Sequence, residues 1–151
     1  MIRKQFKLLI AEDSYVLRHA LQRLQNLSDA SKSPFASMDF VSNGREAVDA
    51  VSRGDYDLVV LDFDMPVMNG LEALGLIRKM RPSIKVLIYS GSLQAYGFSP
   101  RISAQELANS HSVSVLLKGY LSLSDLMKAC EQMLVADFSE ELPYLIHPNN
   151  S

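Results

Sequence analysis

Tryptophan is absent from this chain and cysteine occurs once, at position 130. A single thiol cannot close an internal disulfide, which excludes the small cross-linked secreted scaffolds and suits a reducing compartment. Cys130 falls inside an apolar helical pattern, where a buried structural thiol is expected. No apolar run approaches the ~20 residues needed to span a bilayer, and the opening MIRKQFKLLIAEDS turns acidic too soon for a secretion signal. Nor is there a basic block or stripe. Fifteen lysines and arginines are interspersed with 17 acids for a formal net charge of -2, so neither nucleic acid nor a membrane is an expected partner. The expected location is the cytoplasm.

With 151 residues, 48% apolar and 21% charged, the chain can bury one core and keep it dissolved. One domain over residues 5–136 is expected, followed by a polar C-terminal tail, 137–151. Five short apolar runs, KLLIA, MDFVS, DLVVLDF, IKVLIYS and VSVLLK, have the length and β-branched content of buried strands. Helical patterns lie between and after them. The first, SYVLRHALQRLQ, puts Val16, Leu17, Ala20, Leu21 and Leu24 on one face behind Ser14 as cap. NGREAVDAV offers Asn43 as cap with Glu46 three residues on, and GLEALGLIRKM runs until Arg81-Pro82 stops it. A weaker pattern surrounds SAQELANSH. The last, SLSDLMKACEQMLV, gathers Leu123, Leu126, Met127, Cys130, Met133 and Leu134 on one side.

Continuous apolar strands alternating with helices imply an α/β fold, a doubly wound parallel sheet covered on both faces. In such sheets the site lies beyond the carboxyl ends of the strands. The first strand ends in Glu12-Asp13, the third in Asp62 with Asp64 just after, the fourth in Ser90 and the fifth in Lys118. Singly, each has an ordinary explanation: acids favour the positive end of a following helix, and serine is a common turn residue. Jointly they are six complementary groups at one edge. Clustered carboxylates repel one another unless a hard divalent cation with oxygen ligands relieves them, which points to magnesium.

The segments LLIAEDS, LVVLDFDMPVMNG, VLIYSGS and VLLKG occur in the order and spacing of response-regulator receiver domains, and the chain resembles that family over most of its length. The resemblance implies a flavodoxin-like receiver fold with strand order 2-1-3-4-5. It implies that Asp62 is the phosphoacceptor, that Glu12 and Asp13 hold magnesium together with Asp62, and that the backbone carbonyl of Asp64 completes the protein ligands. Ser90 would be the hydroxyl that moves toward the phosphoryl group and Lys118 the cation that pairs with it. The implied function is phosphorelay signalling: a histidine kinase or histidine phosphotransfer protein donates, and the receiver then changes its contacts with a downstream protein. It is not otherwise an enzyme, with at most self-phosphorylation and self-dephosphorylation.

The chain departs from the family pattern on the output side. Gly119 stands where proline usually follows the lysine, Val115 where an aromatic residue is usual, and Gly91 where alanine is usual. Extra residues, Gln94 to Pro100, surround the expected fourth helix. Two other function classes compete with this reading. Asp62-Phe63-Asp64 after an apolar strand resembles the haloacid-dehalogenase-like phosphatases, but their metal acids follow the lysine, and Pro66 replaces the residue expected there. A pseudo-receiver acting only in docking fits the departures.

Overall fold

The computed structural model describes residues 4–91, 113–117 and 122–135. In chain order these form β1 (Phe6–Ala11), α1 (Tyr15–Leu27), β2 (Phe35–Val41), α2 (Gly44–Arg53), β3 (Leu58–Asp62), α3 (Gly70–Met80), β4 (Lys85–Ser90), β5 (Val113–Leu117) and α4 (Leu123–Val135). All strand pairs are parallel and the sheet order is β2-β1-β3-β4-β5. This is the doubly wound sheet expected from the alternation of apolar runs and helical patterns.

Side chains alternate across a strand, so each central strand feeds two cores. Leu9 and Ala11 of β1, Val59 and Leu61 of β3, and Val86 and Ile88 of β4 meet Ala47 and Val51 of α2 and Ala73, Leu74 and Ile77 of α3. Leu8, Ile10, Leu58, Val60, Leu87 and Tyr89 face the other way, toward Leu21 of α1 and Leu126, Ala129, Cys130 and Met133 of α4. Burial pushes the Cys130 thiol far above its ordinary range, which keeps it inert, as its apolar setting in the sequence predicts.

The helix starts follow their capping chemistry. Ser14 Oγ accepts from the Leu17 amide at 3.3 Å. At α2, Asn43 Oδ1 accepts from the Glu46 amide at 2.9 Å, while the Glu46 carboxylate takes the Ser42 amide at 2.8 Å. Asn69, a cap not among those expected from the sequence, closes the start of α3 by accepting from the Leu71 and Glu72 amides at 3.0 and 2.9 Å.

Two expectations need correction. Val16 is 77% exposed, because the buried face of α1 centres on Leu21 and Val16 lies ~140° from it around the helix. β2 begins at Phe35, three residues before the run MDFVS that marks it in the sequence. It is an edge strand with only Met38 buried, so its start carries no apolar run, yet Phe35 pairs with Phe6 and Ser37 with Lys7. The pattern around SAQELANSH, the segment 94–100 and the tail 137–151 lie outside the described residues.

Candidate functional site

Register brings the acids together. Ala11 of β1 pairs with Leu61 of β3, so the next residues, Glu12 and Asp62, come side by side at the carboxyl edge of the two strands. Glu12 and Asp62 are buried, at 2% and 6% exposure, while Asp13 is exposed. Carboxylate oxygens of Glu12, Asp13 and Asp62 all lie within 4.8 Å of one another. Asp62 is paired with Tyr89 on its other side, so Ser90 lies one residue beyond that pair. In turn Ser90 pairs with Leu117 of β5, the residue before Lys118. Lys118 and Gly119 are outside the described residues. Val115, at the position where an aromatic is usual, pairs with Ile88.

The site is held by backbone contacts as well as by strand register. The Glu12 amide donates to the Val41 carbonyl at 3.0 Å, and the Glu12 carboxylate accepts from the Ser14 amide at 3.1 Å. Arg18, one turn into α1, donates from Nη1 to the Glu12 carbonyl, fixing the start of the helix against the site. Arg18 is not foreseeable from the sequence; its position five residues after Asp13 is the only sign, and an arginine in a first helix is too common to read alone. His19 is exposed and its ring stacks on Tyr15 with the centroids 5.9 Å apart.

After Asp62 the chain passes through Phe63 to Asn69 before α3 begins. Met65 is buried in the core below this loop and Met68 packs beside it. Asp64 is exposed. The Met68 amide donates to the Pro66 carbonyl at 2.7 Å, which closes a tight turn on Val67, whose φ is 68°. A β-branched residue at positive φ is strained by ~1–3 kcal/mol, and Val67 is 80% exposed, so it recovers nothing by burial. Val67→Gly is therefore expected to raise stability by about 1 kcal/mol in urea denaturation; a loss of that size would contradict the strain.

Three acidic oxygen donors converging at a strand edge, two of them buried, suit a hard divalent cation better than a soft one. The donor set thus fits magnesium by its chemistry. Among the described residues no other group of three histidine, cysteine or acidic side chains is so placed. No described helix is long and apolar enough to cross a membrane.

Comparison with known proteins agrees with this geometry. The response regulator receiver domain model matches residues 8–130. Two-component response regulator 24 of Arabidopsis thaliana is 39% identical over 79 residues, 52% of this chain and 52% of that protein. A protein-glutamate methylesterase/protein-glutamine glutaminase of Rhodospirillum centenum is 35% identical over 85 residues, 56% of this chain but 21% of that protein. The chain therefore spans about half the length of the first relative and a smaller part of the second. Among solved structures, the response regulator TrrA of Thermotoga maritima, in complex with Mg(2+)-BeF, superposes with a TM-score of 0.66 at 24% identity, covering 86% of this chain and all of that one. Because the family match runs from the third residue of β1 into α4, and so takes in most of the chain, this protein belongs to the response regulator receiver domain family.

Proposed function

We propose that this chain takes a phosphoryl group onto Asp62 from the phosphohistidine of a histidine kinase or histidine phosphotransfer protein, and that it does so in the cytoplasm. The observation that carries the proposal is the convergence of Glu12, Asp13 and Asp62 within 4.8 Å at the carboxyl edge of β1 and β3. The TrrA structure, with its Mg(2+)-BeF, supports the same reading by likeness of fold.

Glu12, Asp13, Asp62 and the backbone carbonyl of Asp64 would hold magnesium, which when bound neutralises charge on the phosphoryl oxygens. The Asp62 carboxylate attacks phosphorus in line as the donor's P–N bond breaks, and the electron pair leaves on the imidazole nitrogen. A mixed anhydride results. The Lys118 ammonium pairs with one phosphoryl oxygen and the Ser90 hydroxyl donates to another, so most of the rate comes from position and preorganised charge. Attack of water on phosphorus later returns the Asp62 carboxylate and inorganic phosphate. Residues 5–136 form the receiver unit and 137–151 its tail, and the modified state is read by a downstream protein.

Acetyl phosphate tests the reaction without a kinase. The intact mass of the protein is expected to gain one phosphoryl group in magnesium and none in chelator; labelling that persists in chelator would overturn the proposal.

A further inference from the structure

The loop between β3 and α3, which begins directly after Asp62, carries a strained turn at Val67, and such a turn persists only where its surroundings hold it. The holding contact comes from another part of the chain. The Gly44 amide, at the start of α2, donates to the Met68 carbonyl at 3.0 Å, one peptide on from the turn at Val67. A Cβ at Gly44 would lie 2.4 Å from that carbonyl oxygen and 3.0 Å from the carbonyl oxygen of Asn69. These are backbone atoms, so they cannot swing aside as the end of a side chain could. The close approach of α2 to the loop therefore requires glycine at this position.

The same junction reaches the other half of the acid cluster. Val41, three residues before Gly44, accepts the Glu12 amide at 3.0 Å. Between these two contacts the junction is stiffened by the reciprocal cap: the Ser42 amide and hydroxyl donate to the Glu46 carboxylate at 2.8 and 3.0 Å, and the Glu46 amide donates to Asn43. Ala47 and Val51 anchor the helix in the core. The segment 41–46 thus touches the backbone on both sides of the site while contributing no side chain to the acid cluster.

We infer that Gly44 is a positioning residue for phosphoryl acceptance, setting the β3–α3 loop, and with it the backbone of Asp64, against the acids of β1. The inference rests on the reading of Asp62 as phosphoacceptor. Displacing a reacting group by about an ångström costs on the order of a hundredfold in rate, so a helix start that pushes the loop slows the chemistry as well as straining the fold.

The test compares the parent with three variants by urea stability, by the rate of labelling with acetyl phosphate at saturating magnesium, and by magnesium affinity in calorimetry. Gly44→Ala is expected to label roughly ten- to a hundredfold more slowly and to bind magnesium more weakly. Glu46→Ala, exposed and certain to leave the cores intact, should move both in the same direction by a few fold, and keeps the test decisive if Gly44→Ala does not fold. Val51→Ala opens a cavity in the same helix away from the loop; it should lose stability yet label and bind magnesium as the parent does. Parental rates in Gly44→Ala, or rates that fall in all three variants in step with stability, overturn the inference. A parent that is not labelled overturns the phosphoacceptor reading instead, and magnesium affinity then still decides whether Gly44 sets the loop.

Discussion

Gly70→Ala is expected to destabilise the protein by about 2–4 kcal/mol and to abolish phosphodonor labelling. A Cβ at Gly70 would lie 2.2 Å from the carbonyl oxygen of Asp62, 3.1 Å from its carbonyl carbon and 3.2 Å from Phe63 Cα. All three are backbone atoms of the strand end that presents the candidate acceptor. The Gly70 amide also donates to the Phe63 carbonyl at 2.9 Å, so separating α3 from β3 to admit a methyl group breaks that bond as well. Relief can come only by moving Asp62, the start of α3, or both. Urea denaturation measures the first effect and intact mass the second. A midpoint within about 0.5 kcal/mol of the parent would mean that the two elements separate more easily than their packing implies.

The second large effect is a metal-linked one. In the parent, magnesium at about a hundred times its dissociation constant should stabilise the fold by about 2.7 kcal/mol, because a ligand bound only by the native state adds its binding energy to folding. In Asp13→Asn that increment should largely vanish. In chelator the same variant should be at least as stable as the parent, since removing one of three clustered charges relieves repulsion against Glu12 and Asp62. Asp13 is exposed, so solvent screens that relief and the gain is small beside the magnesium term. Thermal denaturation with magnesium and with chelator separates the two. Equal magnesium shifts in parent and variant would remove Asp13 from the ligand set.

Much of this architecture is legible in the sequence because the central strands are buried on both faces. DLVVLDF and IKVLIYS have to be apolar throughout, and a polar residue at the end of such a run marks the sheet's edge. β2 defeats the same logic: as an edge strand it alternates too weakly to mark where it begins. α1 shows a different limit. Periodicity predicts a face, but the centre of that face depends on what the sheet offers, and Val16 falls off it while Leu21 sits at its middle. The acid cluster was readable because its members end consecutive sheet neighbours. Arg18 and Gly44 were not, since each acts through a backbone carbonyl outside its own helix, and backbone partners leave no mark on residue type. Asn43-Gly44 could be read only as a cap. That its glycine also admits the Met68 carbonyl is a fact of three dimensions.

The measurement closest to the central claim is the location of the phosphoryl group. Borohydride reduces an aspartyl phosphate to homoserine, so labelled protein can be reduced, cleaved with trypsin and sequenced by mass spectrometry. The peptide from Gly54 to Arg78 carries Asp55, Asp57, Asp62 and Asp64, which makes the assignment discriminating. Homoserine at position 62, present with magnesium and absent from Asp62→Asn, is the predicted result. Homoserine at Asp64 or another acid, or an unchanged yield in Asp62→Asn, would contradict it.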